Sequence, residues 1–440
     1  MAAVVGTALV GEGKPGLDLG REGVEEILSR GIPEALVRGK RVLVLTPDTT
    51  RTCPLPRLVA GLRAVVGRSA ARLDFMVALG SHTALSEEQI LALYGISPQR
   101  RAAEFPTTRF LNHRWDLPST LMPVGTIGAD EIERLTGGLF REAVGVDINR
   151  AISDYDLLLI LGPVFPHEVV GMSGGNKYLF PGISGGDFLH FFHWLGAVIT
   201  CWKTIGYKHT PVRQVVDRAA QMVAVPRHCV AMVVGPGNTL AGLFVGSPEE
   251  AWSRAADLSA QLHVVYKARP YHTVLGEAPE MYDEIWVAGK VMYKLEPVVA
   301  DGGRLIIYGP HIRTISRTWG QQLERVGYHV RDYFLKQMDR FRDVPRGVLA
   351  HSTHVRGVGT YENGVERPRI EVILSTGIPE AMCRQVNLGY ADPRTIRLDE
   401  YKGRQDEGIL YVEHAGEVLH RLESERPARG IREGHANSPG

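Results

Sequence analysis

The stretch DYDLLLILGPVFPHE, Asp154 to Glu168, decides how this chain is read. Leu157–Leu161 is an unbroken apolar run with no polar alternate. A strand covered on both faces reads this way, as in a parallel sheet flanked by helices. The Gly-Pro pair ends the run at about residue 161, and a histidine, His167, follows.

Two earlier segments repeat the plan. KRVLVLTPDTTR predicts a strand over about 41–46, then Asp48 and Arg51, then a helix after Pro54 or Pro56. RLDFMVALGSHTALSEEQILALYG predicts a strand over about 73–79, then Gly80-Ser81-His82, then a helix whose start fits a capping box from Ser86 to Gln89. Strands alternating with helical patterns make an α/β architecture. In open parallel sheets ligands bind past the carboxyl ends of the strands. Three segments therefore deliver Asp48 with Arg51, His82 and His167 to one edge.

Further on, SPEEAWSRAADLSAQLHVVY predicts a long helix with Ser247 as N-cap and Pro248 in its first turn. It is read as the bridge from a catalytic domain, 1–265, into a smaller α/β domain, 266–404. In the latter, MYDEIWVAGKVMYK reads as strand then helix, and GGRLIIYGP and RPRIEVILSTG as strands. GILYVEHAGEVLHRL, within 405–422, is expected to return to the first domain, and 423–440 to form a flexible polar tail. The expected architecture is two α/β domains with mostly parallel sheets and an active site in the cleft between them.

Composition narrows the class. The chain has 440 residues, 44% hydrophobic and 22% charged, with 50 basic and 49 acidic side chains for a net charge of +1. That is a globular composition with no electrostatic footprint for nucleic acid or an anionic membrane. No apolar run is long enough to span a bilayer. The N-terminus lacks the basic segment of a signal peptide. The four cysteines stand far apart with no CxxC pair, which suits a reducing cytoplasm.

The densest chemistry is HEVVGMSGGNKYLFPGISGGDFLHFFHWLG, 167–196. Lys177 sits among glycines in an apolar setting that a surface lysine seldom has. The spacing is not that of a P-loop, so either a phosphate contact or a covalent link through the amine fits. PGISGGDF ahead of an aromatic helix reads as a phosphate seat at a helix N-terminus, with Gly182, Ser184 and Gly185 offering amides. His190 and His193 are three apart and share a helix face. Either imidazole suits zinc, copper, iron or nickel, so ligand type alone names no metal, or simply packs in an aromatic core. On residue types alone, a hydrolase or lyase with a metal on His82, His167 and His193 also fits, as does a non-catalytic cofactor carrier.

PDTTR, ALGSH, FPHE, GGNKYLFPGISG and HFFH, in that order, resemble the lactate racemase family of nickel-pincer enzymes. The resemblance is strong over 40–210 and looser beyond. It implies a racemase or epimerase that inverts C2 of a 2-hydroxy acid, lactate-like, by hydride transfer through a 2-keto acid. It further implies a nickel-pincer nucleotide joined covalently to Lys177 through a thioamide and supplied by cofactor-synthesis enzymes. By this likeness His193 is the nickel ligand, and His82 and His167 are the two catalytic bases. Asp48 stands toward the cofactor, Arg51 toward the substrate, and His190 becomes packing. Lys294 and Trp319 match substrate-binding residues of the second domain. The family's glutamine three residues before that lysine is Val291 here, which points to a less polar substrate side chain.

Overall fold

The computed structural model describes residues 8–426. They form two compact units: the chain up to Leu195 with Pro211–Leu262, and Gly196–Thr210 with everything from His263. The second unit's claim on 196–210 had no sequence signal.

The first unit carries one seven-stranded sheet. Along the chain it contains β1 (Val10–Gly13), α1 (Arg21–Gly31), β2 (Arg41–Thr46), α2 (Leu55–Val65), β3 (Arg72–Val77), α3 (Glu87–Leu93) and β4 (Phe110–Asn112). Then come β5 (Leu157–Pro163), α4 (Gly186–Ile199, whose last residues count with the second unit), α5 (Pro211–Ala220), β6 (Arg227–Gly235), β7 (Thr239–Gly246) and α6 (Pro248–His263). The strand order is β1-β7-β6-β5-β2-β3-β4. From β6 to β4 every pair is parallel, while β7 and β1 close one edge antiparallel.

Burial explains the central strands. Every residue of β5 is buried, and β2 is buried from Val42 onward. A parallel strand with helices on both faces has no solvent side to mark with polar residues. Helix starts follow local chemistry: Ser86 caps α3 in a full capping box with Gln89, and the Ser247 hydroxyl accepts from Glu250 N at the head of α6. The chain runs outward from β2 to β3 and β4, then returns to lay β5 on the other side of β2. The order thus reverses between β2 and β5, the place where open α/β sheets bind ligands.

The second unit holds β8 (Val264–Lys267), β9 (Tyr271–Glu277), α7 (Ile285–Leu295), β10 (Val299–Gly309), α8 (Arg346–Arg356), β11 (Glu371–Thr376), β12 (Gly389–Tyr390), β13 (Ile409–Val412) and β14 (Leu419–Leu422). Its main sheet, β12-β11-β10-β9-β13, is wholly parallel, and β8 pairs with β14.

Three expectations are corrected here. Residues 281–284 turn rather than form a strand, and Ile285–Val287 opens α7. Nearly every position of α7 is buried, and a helix buried all round looks like a strand to periodicity. The strand that precedes it is β9, in YHTVLGE. Residues 405–422 do not return to the first unit, because β13 pairs with β9 and β14 with β8. The expected tail begins too early: Glu423–Glu425 forms a short turn, and Trp202 Nε1 donates to Glu425 Oε1 at 3.1 Å. Residues 427–440 lie outside the described chain. Among the described residues no helix is long and apolar enough to cross a membrane.

Candidate active site

Asp48, His82 and His167 follow the carboxyl ends of β2, β3 and β5. These strands are adjacent and parallel, so their ends share one sheet edge. Asp48 is 6% exposed. Its Oδ1 accepts from Thr50 N at 3.1 Å and Thr50 Oγ1 at 2.7 Å, and its Oδ2 accepts from His82 Nδ1. Burial by itself would raise the Asp48 carboxyl. Its electrostatic coupling and hydrogen bond to His82, then Arg51 and Thr50, hold it well below the usual carboxylate range. With Nδ1 held by Asp48, the Nε2 of His82 is the nitrogen left for proton transfer. Arg51 is half-buried and donates from Nη1 to the Thr50 carbonyl at 3.2 Å.

His167 lies in a short ladder, Pro166–His167 against Gly171–Met172. It is buried; its Nδ1 accepts from Val169 N at 3.2 Å and lies 3.3 Å from Glu168 Oε2.

Lys177 stands in a single 3-10 turn, Gly175–Tyr178. The preceding Gly174 and Gly175 have φ of 83° and 59°, and a Cβ on Gly175 would stand 3.0 Å from Trp252. Only glycine takes both this backbone and this approach readily. Burial first, then the charge of Arg51, lowers the Lys177 ammonium to about 7, so a large share is free amine at neutral pH. Nζ lies 5.9 Å from the Phe192 ring centre.

His193 comes from α4. Its Nδ1 donates to the Leu189 carbonyl at 2.7 Å. Burial holds its pKa down to about 4, the Leu189 bond opposing and the Lys177 charge assisting. The ring is therefore neutral with its lone pair on Nε2, the form that binds metals. His82, His167 and His193 do not gather as one ligand set; no three His, Cys, Asp or Glu side chains do so among the described residues.

The loops are joined to one another. Gly80 N, two residues before His82, donates to Gly182 O, five after Lys177, at 3.0 Å. His113, unnoticed in the sequence, donates from Nε2 to Ser184 O at 3.0 Å and accepts on Nδ1 from Asn149 at 3.1 Å.

The phosphate seat needs correcting. The amides of Gly182, Ser184 and Gly185 already donate to Lys177 O, Pro181 O and Asp147 O. The Ser184 hydroxyl is buried and donates to the Gly185 carbonyl at 3.2 Å. These three amides shape the loop rather than offer donors.

Lys294 and Trp319 belong to the second unit. Lys294, at the end of α7, is 4% exposed and donates to Glu417 O at 3.3 Å. Trp319 rests against Trp286 at the other end of that helix, ring centres 6.4 Å apart. Eight residues of helix, about 12 Å, separate Trp286 from Lys294.

The family model for the lactate racemase N-terminal domain matches residues 22–204. A crystal structure of a Thermotoga maritima protein superposes with a TM-score of 0.84 at 32% identity, over 92% of this chain and 100% of that one. Residues 22–204, rather less than half of the chain, belong to the lactate racemase N-terminal domain family. The lactate racemase of Thermoanaerobacterium thermosaccharolyticum is 22% identical over 299 residues, 66% of this chain and 65% of that protein. That of Lactiplantibacillus plantarum is 25% identical over 239 residues, 53% and 51% of the two chains. The alignments thus span between half and two thirds of these curated relatives. The lactate racemase apoprotein from T. thermosaccharolyticum shares the fold, with a TM-score of 0.68 at 19% identity over 94% of this chain. The family match ends at Thr204, so it takes in Asp48, His82, His167, Lys177 and His193 and leaves out Lys294 and Trp319.

Proposed function

We propose that this chain is an isomerase, a racemase or epimerase that inverts C2 of a lactate-like 2-hydroxy acid. The single observation that carries the reading is the pairing of Lys177 with His193. One is an amine that burial holds near neutrality; the other is a neutral imidazole with Nδ1 occupied and Nε2 presenting a lone pair.

These residues fit a nickel-pincer nucleotide. Lys177 would hold it covalently and His193 would ligate its metal. One histidine makes a sparse metal site, so the remaining ligands would have to come with the bound group. When bound, such a group supplies a reversible acceptor for the C2 hydride.

The chain's own side chains do the rest. The α-proton of a 2-hydroxy acid is weakly acidic beside a carboxylate, whereas hydride loss leaves a flat 2-keto acid open on both faces. The hydroxyl proton must leave with the hydride, and His82, steadied by Asp48, takes it at Nε2. His167, from the other strand beside β2, serves the opposite enantiomer. Arg51 pairs with the substrate carboxylate. Lys294 and Trp319 are assigned to the substrate by resemblance alone. Maturation would require cofactor-building enzymes.

The test is to make the protein with and without those enzymes, weigh the Lys177 peptide and measure nickel. The matured protein is then given a panel of α-deuterated 2-hydroxy acids. Stereoinversion with the label retained supports the reading. An active, fully matured protein with unmodified Lys177 overturns it.

A further inference from the structure

Three consecutive carbonyls ahead of Lys177 are each held by a side chain from a distant helix. Arg213, in α5, donates to Met172 O and, at 3.2 Å, to Gly174 O. Trp252, in α6, donates from Nε1 to Ser173 O at 2.8 Å. The Arg213 guanidinium lies 4.1 Å from the Trp252 ring centre, so each fixes the other. Asn176, the residue before the lysine, is 2% exposed. Its Nδ2 donates to Asp217 Oδ1 at 3.0 Å and Glu249 Oε1 at 2.8 Å, one carboxylate from each of the same two helices.

An arginine 2% exposed is costly to keep unless its donors are used. Here Nη1 and Nη2 are used on backbone carbonyls that lead into the lysine turn. The proposed hydride and proton transfers do not require this assembly: neither Arg213, Trp252 nor Asn176 is a base, a metal ligand or a partner of the substrate carboxylate. Covalent attachment does require Lys177 to present its amine in one geometry before the partner arrives.

We infer that Arg213, Trp252 and Asn176 form a clamp that presets the Lys177 turn for covalent loading, with Arg213 as its central positioning residue. The inference rests on reading Lys177 as the cofactor tether. In the unclamped turn the glycines would let residues 173–178 sample many conformations, and loading would slow because the amine is seldom in place.

The test uses the full chain in wild-type form and as R213M, R213K and W252F. W252F keeps an aromatic ring but removes the donor to Ser173 O together with part of the indole's bulk. Hydrogen exchange is followed on the protein made without cofactor enzymes, and the mass gain on Lys177 on protein made with them. Expected is a roughly tenfold rise in exchange at 174–182 in R213M, with amides of β5 unchanged. R213K and W252F should fall between it and wild type. The share of chains carrying the mass gain should drop several-fold in the same order and recover in R213M when wild-type-like loading is given longer time. Unchanged exchange and loading in both R213M and W252F overturn the clamp. So does a rise in W252F that spreads evenly to β5, which would mark general destabilisation. Absence of the mass gain in wild type defeats the tether reading itself, a result distinct from either.

Discussion

The Asp48 carboxylate accepts the Nδ1 hydrogen of His82 across two neighbouring parallel strand ends. The pair does two things. It fixes the imidazole tautomer, and it keeps the carboxylate ionised despite burial. D48N removes the charge and half of the geometric control. The expected result is a kcat lower by about 10²–10⁴-fold, the usual worth of a well-placed general base. Nickel content and the mass of the Lys177 peptide, measured alongside, separate a loss of proton transfer from a loss of cofactor loading. A variant with unaltered kcat would remove Asp48 from proton transfer.

His113 gives a pH prediction. Burial holds it neutral, with its pKa lowered from 6.5 to about 4. Between these values the unfolded chain takes up a proton that the folded chain refuses. This contribution is therefore fully present above pH 6.5 and is lost as pH falls toward 4, on the order of 3 kcal/mol over the interval. His193 and His420 are lowered in the same sense, so the wild-type slope sums several groups. Denaturant unfolding at pH 7.5, 5.5 and 4 should show a shallower acid loss for H113Q than for wild type. Parallel curves would show that His113 titrates normally.

The sequence made the sheet edge legible for a simple reason. β2, β3 and β5 are buried parallel strands, so their apolar runs stop where the chemistry starts. Lys177 was legible because glycines surround it. What stayed hidden was held by distance or by disguise. Arg213 and Trp252 reach the lysine turn from helices 36 and 75 residues downstream of Lys177, and in sequence each looks like an ordinary amphipathic position. His113 follows a three-residue strand too short to stand out. The amides of Gly182, Ser184 and Gly185 could be judged only once their acceptors were seen, because a glycine-rich loop can present its N–H groups outward or bond to itself. In the second unit, α7 passed for strand then helix because it is apolar on nearly every side.

Two glycines near Lys177 separate backbone strain from crowding. Gly175 has a φ of 59° and approaches Trp252. G175A should cost about 1–3 kcal/mol in unfolding free energy, and trimming Trp252 should not recover it, because the strain lies in the backbone.

Gly162 differs. It lies in β5 with ordinary strand geometry, and a Cβ there would stand 2.0 Å from the Tyr178 hydroxyl oxygen and 2.1 Å from its Cζ. G162A alone should destabilise by about 1–3 kcal/mol through overpacking and displace Tyr178, the residue after Lys177. In a Y178A background the methyl has room, and the same substitution should cost well under half as much. A double-mutant cycle read by denaturant unfolding gives the coupling directly. Loading of Lys177 gives a second reading: it should fall in G162A, where the ring is pushed from its seat. Equal costs for G162A in the two backgrounds would show that the β5 backbone, not the phenol, governs this position.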